Sequence, residues 1–147
     1  VNYNKLTPRE KILLTQLENC LSDISADIEP VRRYLRGYRA PLFRTVLRIG
    51  ARNGLRLVFE RAGRPLSGRE REMWALGYAE DTAQRFVRHL LELVKTEHHR
   101  EMVVTLNGIG IPRIRYREWV GPRPCTPHLA DVLAIAELLG FKVRWIG

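Results

Sequence analysis

A chain of 147 residues with 45% hydrophobic and 28% charged side chains has the length and balance of one ordinary folded domain, able to bury a core without metal or disulfide staples. No apolar run approaches the ~20 residues of a membrane span, and no charged-then-apolar leader is visible, so neither a membrane-spanning nor an exported protein is expected. The net charge of +9 rests on 21 Arg and 4 Lys, and the two cysteines, Cys20 and Cys125, form neither a disulfide framework nor a zinc pattern, which leaves a reducing cytoplasmic setting as the expectation.

The first element announces itself with "TPRE". Thr7 is a cap, Pro8 fits the first helical position, and Glu10 stands where it can reach back to the cap nitrogen. Leu14, Leu17, Leu21, Ile24 and Ile28 follow at helical steps, which predicts an amphipathic helix over 8–26 whose stripe faces a core or a second helix. Pro30 opens a short helical stretch with Val31, Tyr34, Leu35 and Tyr38 on one face. Pro41 restarts the pattern, with Leu42, Phe43, Val46, Leu47, Ile49 and Gly50 inward. Asn53-Gly54 reads as a helix end, and "LRLVFE" after it alternates as a strand, with Leu55, Leu57 and Phe59 on one side.

"GRPLSGRE" marks a loop and a capping-box restart. A long central helix is predicted from there to about Glu97, lined by Met73, Trp74, Ala79, Ala83, Phe86 and the apolar residues that follow. "EMVVTL", Asn107-Gly108 and "RIRYREW" together read as a two-stranded ribbon. Its alternation puts Arg113, Arg115 and Arg117 on one face and Ile114 and Tyr116 on the other. Thr126-Pro127 then caps a helix striped by Leu129, Val132, Leu133, Ala136 and Leu139. The helix ends at Gly140, and "FKVRW" is the last strand. The expected architecture is a single α+β domain over 1–147: three to four helices, mostly N-terminal, packed with a small sheet formed mainly by the C-terminal half.

Charge is unevenly distributed. Residues 1–31 sum to −2, 32–71 to +10, 72–100 to −1 and 101–147 to +2. Within the basic block lie Arg32, Arg33, Arg36, Arg39, Arg44, Arg48, Arg52 and Arg56, and the last four recur every fourth residue. Like charges at that spacing cost a helix a few tenths of a kcal/mol per pair, so helix stability does not account for them. Guanidinium groups grip phosphate or carboxylate with two donors and stack on flat rings, and a concentrated block attracts polyanions or an acidic protein face. Tyr34, Tyr38 and Phe43 are the candidate stacking partners, and a solvated face in an arginine-biased chain is the plainer alternative.

Catalytic and metal chemistry find little support. His98-His99 with Glu101 lacks ligand spacing, Glu80-Asp81 are helix neighbours that diverge, and neither HExxH nor a CxxC pair occurs. "GARNG" has no GK[ST] tail, so no phosphate loop is read. No metal, cofactor or enzymatic activity is expected.

One family resemblance is carried by "REWVGPRPCTPHLADVLAIAELLGF" (117–141), in which Trp119, Pro127, Leu129, Ile135, Ala136, Leu139 and Gly140 fill marked places. It resembles the last two helices of Cro/C1-type helix-turn-helix regulators and related antitoxins. The resemblance implies two short helices in the preceding segment, where the residues themselves read as a ribbon. It would place Arg113, Arg115 and Arg117 on the reading element. The expected function is a non-enzymatic regulatory protein that binds DNA or RNA through Arg32, Arg33, Arg36, Arg39, Arg44, Arg48, Arg52 and Arg56, extended by Arg113, Arg115 and Arg117. Two alternatives stand beside it. One is a regulator, viral or cellular, docked on an acidic subunit of a transcription or replication enzyme. The other is an assembly-type subunit that forms a homo-oligomer.

Overall fold

The structure is a computed structural model that describes residues 5–37, 40–61, 82–98, 101–120 and 126–147. In chain order it has helices α1 (Pro8–Cys20), α2 (Ile28–Leu35) and α3 (Phe43–Arg52), strand β1 (Arg56–Arg61), helices α4 (Thr82–Glu97), α5 (Met102–Gly108), α6 (Arg113–Val120) and α7 (Leu129–Leu138), and strand β2 (Phe141–Ile146). Mixed helix and sheet is as expected. The count is not: the described residues hold seven helices instead of three to four, and four of them follow residue 80. Among the described residues the sheet is one antiparallel pair, from Arg56 opposite Ile146 to Arg61 opposite Phe141, so each half of the chain supplies one strand.

α1 begins as its cap predicts. Thr7 N–H donates to Glu10 Oε1 at 2.9 Å, and Glu10 N–H reaches Thr7 Oγ1 at 3.4 Å. The helix stops at Cys20, short of the expected 26, and Ile24 is 95% exposed. Side-chain oxygens compete for the backbone there: Ser22 Oγ accepts from Ile24 N–H at 3.4 Å and Ser25 Oγ from Asp27 N–H at 3.2 Å. α3 ends as read, because Gly54 at φ 74 takes the left-handed position and Leu55 N–H closes on Gly50 O at 2.8 Å.

The ribbon expected over 102–119 is replaced by α5 and α6. β-branched Val103 and Val104 lie exposed on α5 instead of pairing, and the alternation fails because Ile114 is 73% exposed while Tyr116 is buried. Two signals decide the outcome. Gly110 at φ 87 donates to Asn107 O at 3.1 Å, and Ile111 N–H donates to Leu106 O at 2.9 Å, a helix stop sealed by buried Leu106 and Ile111. Pro112 then begins a helix, its carbonyl accepting from Arg115 N–H at 3.0 Å. α7 starts two residues later than Pro127 because that stretch is used elsewhere. Phe43 N–H donates to Pro127 O at 2.9 Å and Leu129 N–H to Pro41 O at 3.0 Å, pinning the starts of α3 and α7 together.

The core gathers α1, α3, α4, α7 and the inner face of the sheet. Phe59 and Phe86 ring centroids are 4.5 Å apart, Phe43 lies 5.8 Å from Phe86, and Phe141 meets Phe59 edge-on at 6.4 Å. Trp145 crosses from β2 to α1 and α3, donating its indole N–H to Leu13 O at 3.1 Å and covering Gly50. Ala83, Phe86, Val87, Leu90, Leu91 and Val94 of α4 are buried as expected; Met73, Trp74, Ala79 and the capping box before them lie outside the described residues.

Candidate nucleic-acid interface

α3 is two-sided because its apolar residues sit at three- and four-residue steps. Phe43, Val46, Ile49 and Gly50 are buried, and Arg44, Arg48 and Arg52 stand on the opposite, exposed side, rising about 6 Å per step. On α2, Val31 faces in and Arg32, Arg33 and Arg36 face out. Arg39 and Tyr38 lie outside the described residues.

The block is not uniformly open. Three carboxylates of one short segment each engage one of its arginines: Asp23 meets Arg32 at 3.7 Å, Glu29 pairs with Arg36, and Asp27 Oδ1 accepts from Arg52 Nη2 at 2.7 Å. Asp27 is the best seated, its side chain only 15% exposed. Its second oxygen accepts from Asn53 Nδ2 at 3.0 Å, and that nitrogen also donates to Ile49 O at 2.8 Å, so the start of α2 is clasped to the end of α3. Arg33, Arg44 and Arg48 are exposed with no carboxylate in ion-pair reach among the described residues.

Arg56 lies on β1 and not on the α3 row, because the chain turns at Asn53-Gly54. It shares the outer sheet face with Lys142 and Arg144 of β2. Arg144 Nη2 donates to Glu60 Oε1 at 2.9 Å, and that hydrogen bond and the Glu60 charge push the guanidinium pKa further up, against a smaller desolvation effect. The Lys142 and Arg144 contribution was not singled out in the sequence, although the alternation of "FKVRW" already puts both opposite the Phe141 side.

α6 divides its arginines. Helical geometry turns Arg113 and Arg117 outward together with Ile114, and swings Arg115 inward, where Nη1 donates to Gly110 O at 3.1 Å and approaches Asp131 Oδ1 of α7 at 3.4 Å. Asp131 is fully buried. The face expected to hold all three therefore holds two, and Arg115 moors α6 to the first turn of α7. α3 is moored at that same place through Phe43 and Pro127, so α7 positions both exposed arginine sets.

The remaining candidates are placed as follows. Phe43 is sealed in the phenylalanine cluster and is closed to stacking, and Tyr34 is half-buried. His98 is half-buried just after α4, and Glu101 is exposed before α5. Glu80, Asp81, His99 and Cys125 lie outside the described residues. Among the described residues no three His, Cys, Asp or Glu side chains converge as a metal site would require, and no helix is long and apolar enough to cross a membrane. Two short helices, α5 and α6, joined by residues 109–112 and followed by α7, thus stand where the residues read as a ribbon. No protein-family model matches the chain, and no curated protein or solved structure is similar enough to it to count as a match.

Proposed function

We propose that this is a non-enzymatic, cytoplasmic regulatory protein that binds nucleic acid by neutralising phosphates with an arginine-rich face. One observation carries the reading: Arg33, Arg44, Arg48, Arg113 and Arg117 are exposed, with no carboxylate in ion-pair reach among the described residues. Arg32, Arg36 and Arg52 stand on or beside α2 and α3 with Arg33, Arg44 and Arg48 but are partly neutralised, and Arg56 and Lys142, beside the Arg144–Glu60 pair, add charge on the sheet.

Duplex DNA is the favoured polymer. A helix is about 10–12 Å across and the B-form major groove about 12 Å wide, so α6 can enter with Arg113, Ile114 and Arg117 leading. The deep, narrow major groove of duplex RNA excludes side chains. An exposed isoleucine between two guanidinium groups has no use against phosphate, but it suits a thymine methyl. The same isoleucine favours the second reading, docking on an acidic protein surface of the transcription or replication machinery, where an apolar contact inside a basic rim is equally useful.

A filter-binding titration with duplex DNA, single-stranded DNA and RNA, each at two salt concentrations, separates these readings. Duplex DNA is expected to bind tightest and to weaken steeply as salt rises. Absence of binding to all three at low salt would contradict the nucleic-acid reading and favour the protein partner.

A further inference from the structure

α1 crosses α7 with Arg9 paired to Glu137, and an apolar groove opens on each side of that pair. Toward β2 the groove is about 320 Å³, floored by Leu133, Phe141 and Val143 and edged by Ile12, which is 62% exposed. Toward the α5–α6 turn it is about 490 Å³, walled by Ile109, Ala134 and Leu138. We infer that this seam is the interface between two copies of the chain. The inference does not depend on the nucleic-acid reading.

Charge selects the occupant. A protein carrying +9 repels a second copy through most orientations. Here, among the described residues, the only charged side chains lining either groove are one cation and one anion, already paired with each other. Apart from Arg9 itself, the exposed side chains of α1 that share the Ile12 side, Pro8, Thr15 and Gln16, carry no charge. A patch that combines exposed apolar surface with one balanced pair is self-complementary: a two-fold axis through it brings each Arg9 to the other copy's Glu137 and each Ile12 toward the partner's groove. A strongly acidic or basic partner would find nothing here to recognise.

Sedimentation velocity or light scattering of the full chain, without nucleic acid, tests this. The mass is expected to rise with concentration from 17.1 kDa toward twice that value. Ile12→Asp, an exposed position, is expected to lower the association constant by at least about tenfold, since it puts an unpaired charge at an apolar contact. Arg9→Glu and Glu137→Arg are each expected to stay monomeric where the wild type pairs, because each places like charges against one another across the axis. Their equimolar mixture is expected to recover the dimer, because the first variant then presents an acid at both positions and the second a base at both. Both changes suit their helix ends, an acid in the first turn of α1 and a base in the last turn of α7, so circular dichroism should show folded proteins. A wild-type chain that is monomeric at every concentration overturns the inference. So does a dimer unmoved by Ile12→Asp, or a mixture that pairs no better than its components.

Discussion

Gly50 and Asp27 show how single atoms set the geometry of the arginine row. A Cβ built on Gly50 would lie 2.2 Å from Trp145 Cζ3, and the ring cannot retreat without releasing its hydrogen bond to Leu13 O. Gly50→Ala is therefore expected to destabilise the fold by about 1–3 kcal/mol despite alanine's better helix propensity, measured as a shift in the denaturant midpoint and read on tryptophan fluorescence. Asp27 does the opposite kind of work, holding Arg52 and Asn53 from across the fold. Asp27→Asn is expected to cost no more than about 1 kcal/mol of stability, since the pair is partly exposed, and to steepen the salt slope of DNA binding by up to about 0.9 as Arg52 becomes available to a phosphate. An unchanged slope in a folded Asp27→Asn protein would show that Arg52 lies outside the footprint. None of this was legible in the sequence, because Asp27 meets Arg52 through tertiary structure and the spacing of arginines alone says nothing about which carboxylates reach them.

At the scale of elements, the legible parts were those in which local rules agree. Thr7 and Glu10 make the expected cap, α3 ends where Asn53-Gly54 predicts, and "LRLVFE" and "FKVRW" pair as strands. α5 and α6 went the other way because β-branched valines and the alternating "RIRYR" argue for strand, while Gly110 and Pro112 argue for a helix stop and a new start. Burial decided between them: Tyr116 and Trp119, three residues apart, reach the core together only on a helix. The same change of period assigns separate roles to the three arginines. Arg113→Gln with Arg117→Gln is expected to flatten the salt slope by about 1.8 and leave stability within about 0.5 kcal/mol of wild type. Arg115→Gln is expected to lower stability by about 1.5–3 kcal/mol, the range for hydrogen bonds to charged groups, and to leave the slope unchanged. Denaturant unfolding beside binding titrations reads both. Equal effects of all three arginines on the slope would restore the ribbon-like face.

For the whole molecule, the concentration of positive charge in residues 32–71 is a fact of sequence, but its presentation is a fact of folding. The described part of the block is distributed over α2, α3 and β1; α6 carries two more exposed arginines from far along the chain; and the acidic segment 23–29 covers part of the block. Among the described residues, those left open in this account are Arg33 on α2, Arg44 and Arg48 on α3, and Arg113 and Arg117 on α6. The dependence of binding on salt counts that set directly, because each phosphate neutralised releases counterions. With five open arginines in the footprint, log K for duplex DNA against log salt is expected to fall with a slope of about −4.5, and with Arg44→Gln and Arg48→Gln together, about −2.7. A wild-type slope near zero, or one that the double change leaves where it was, would contradict the assignment of this face to nucleic acid.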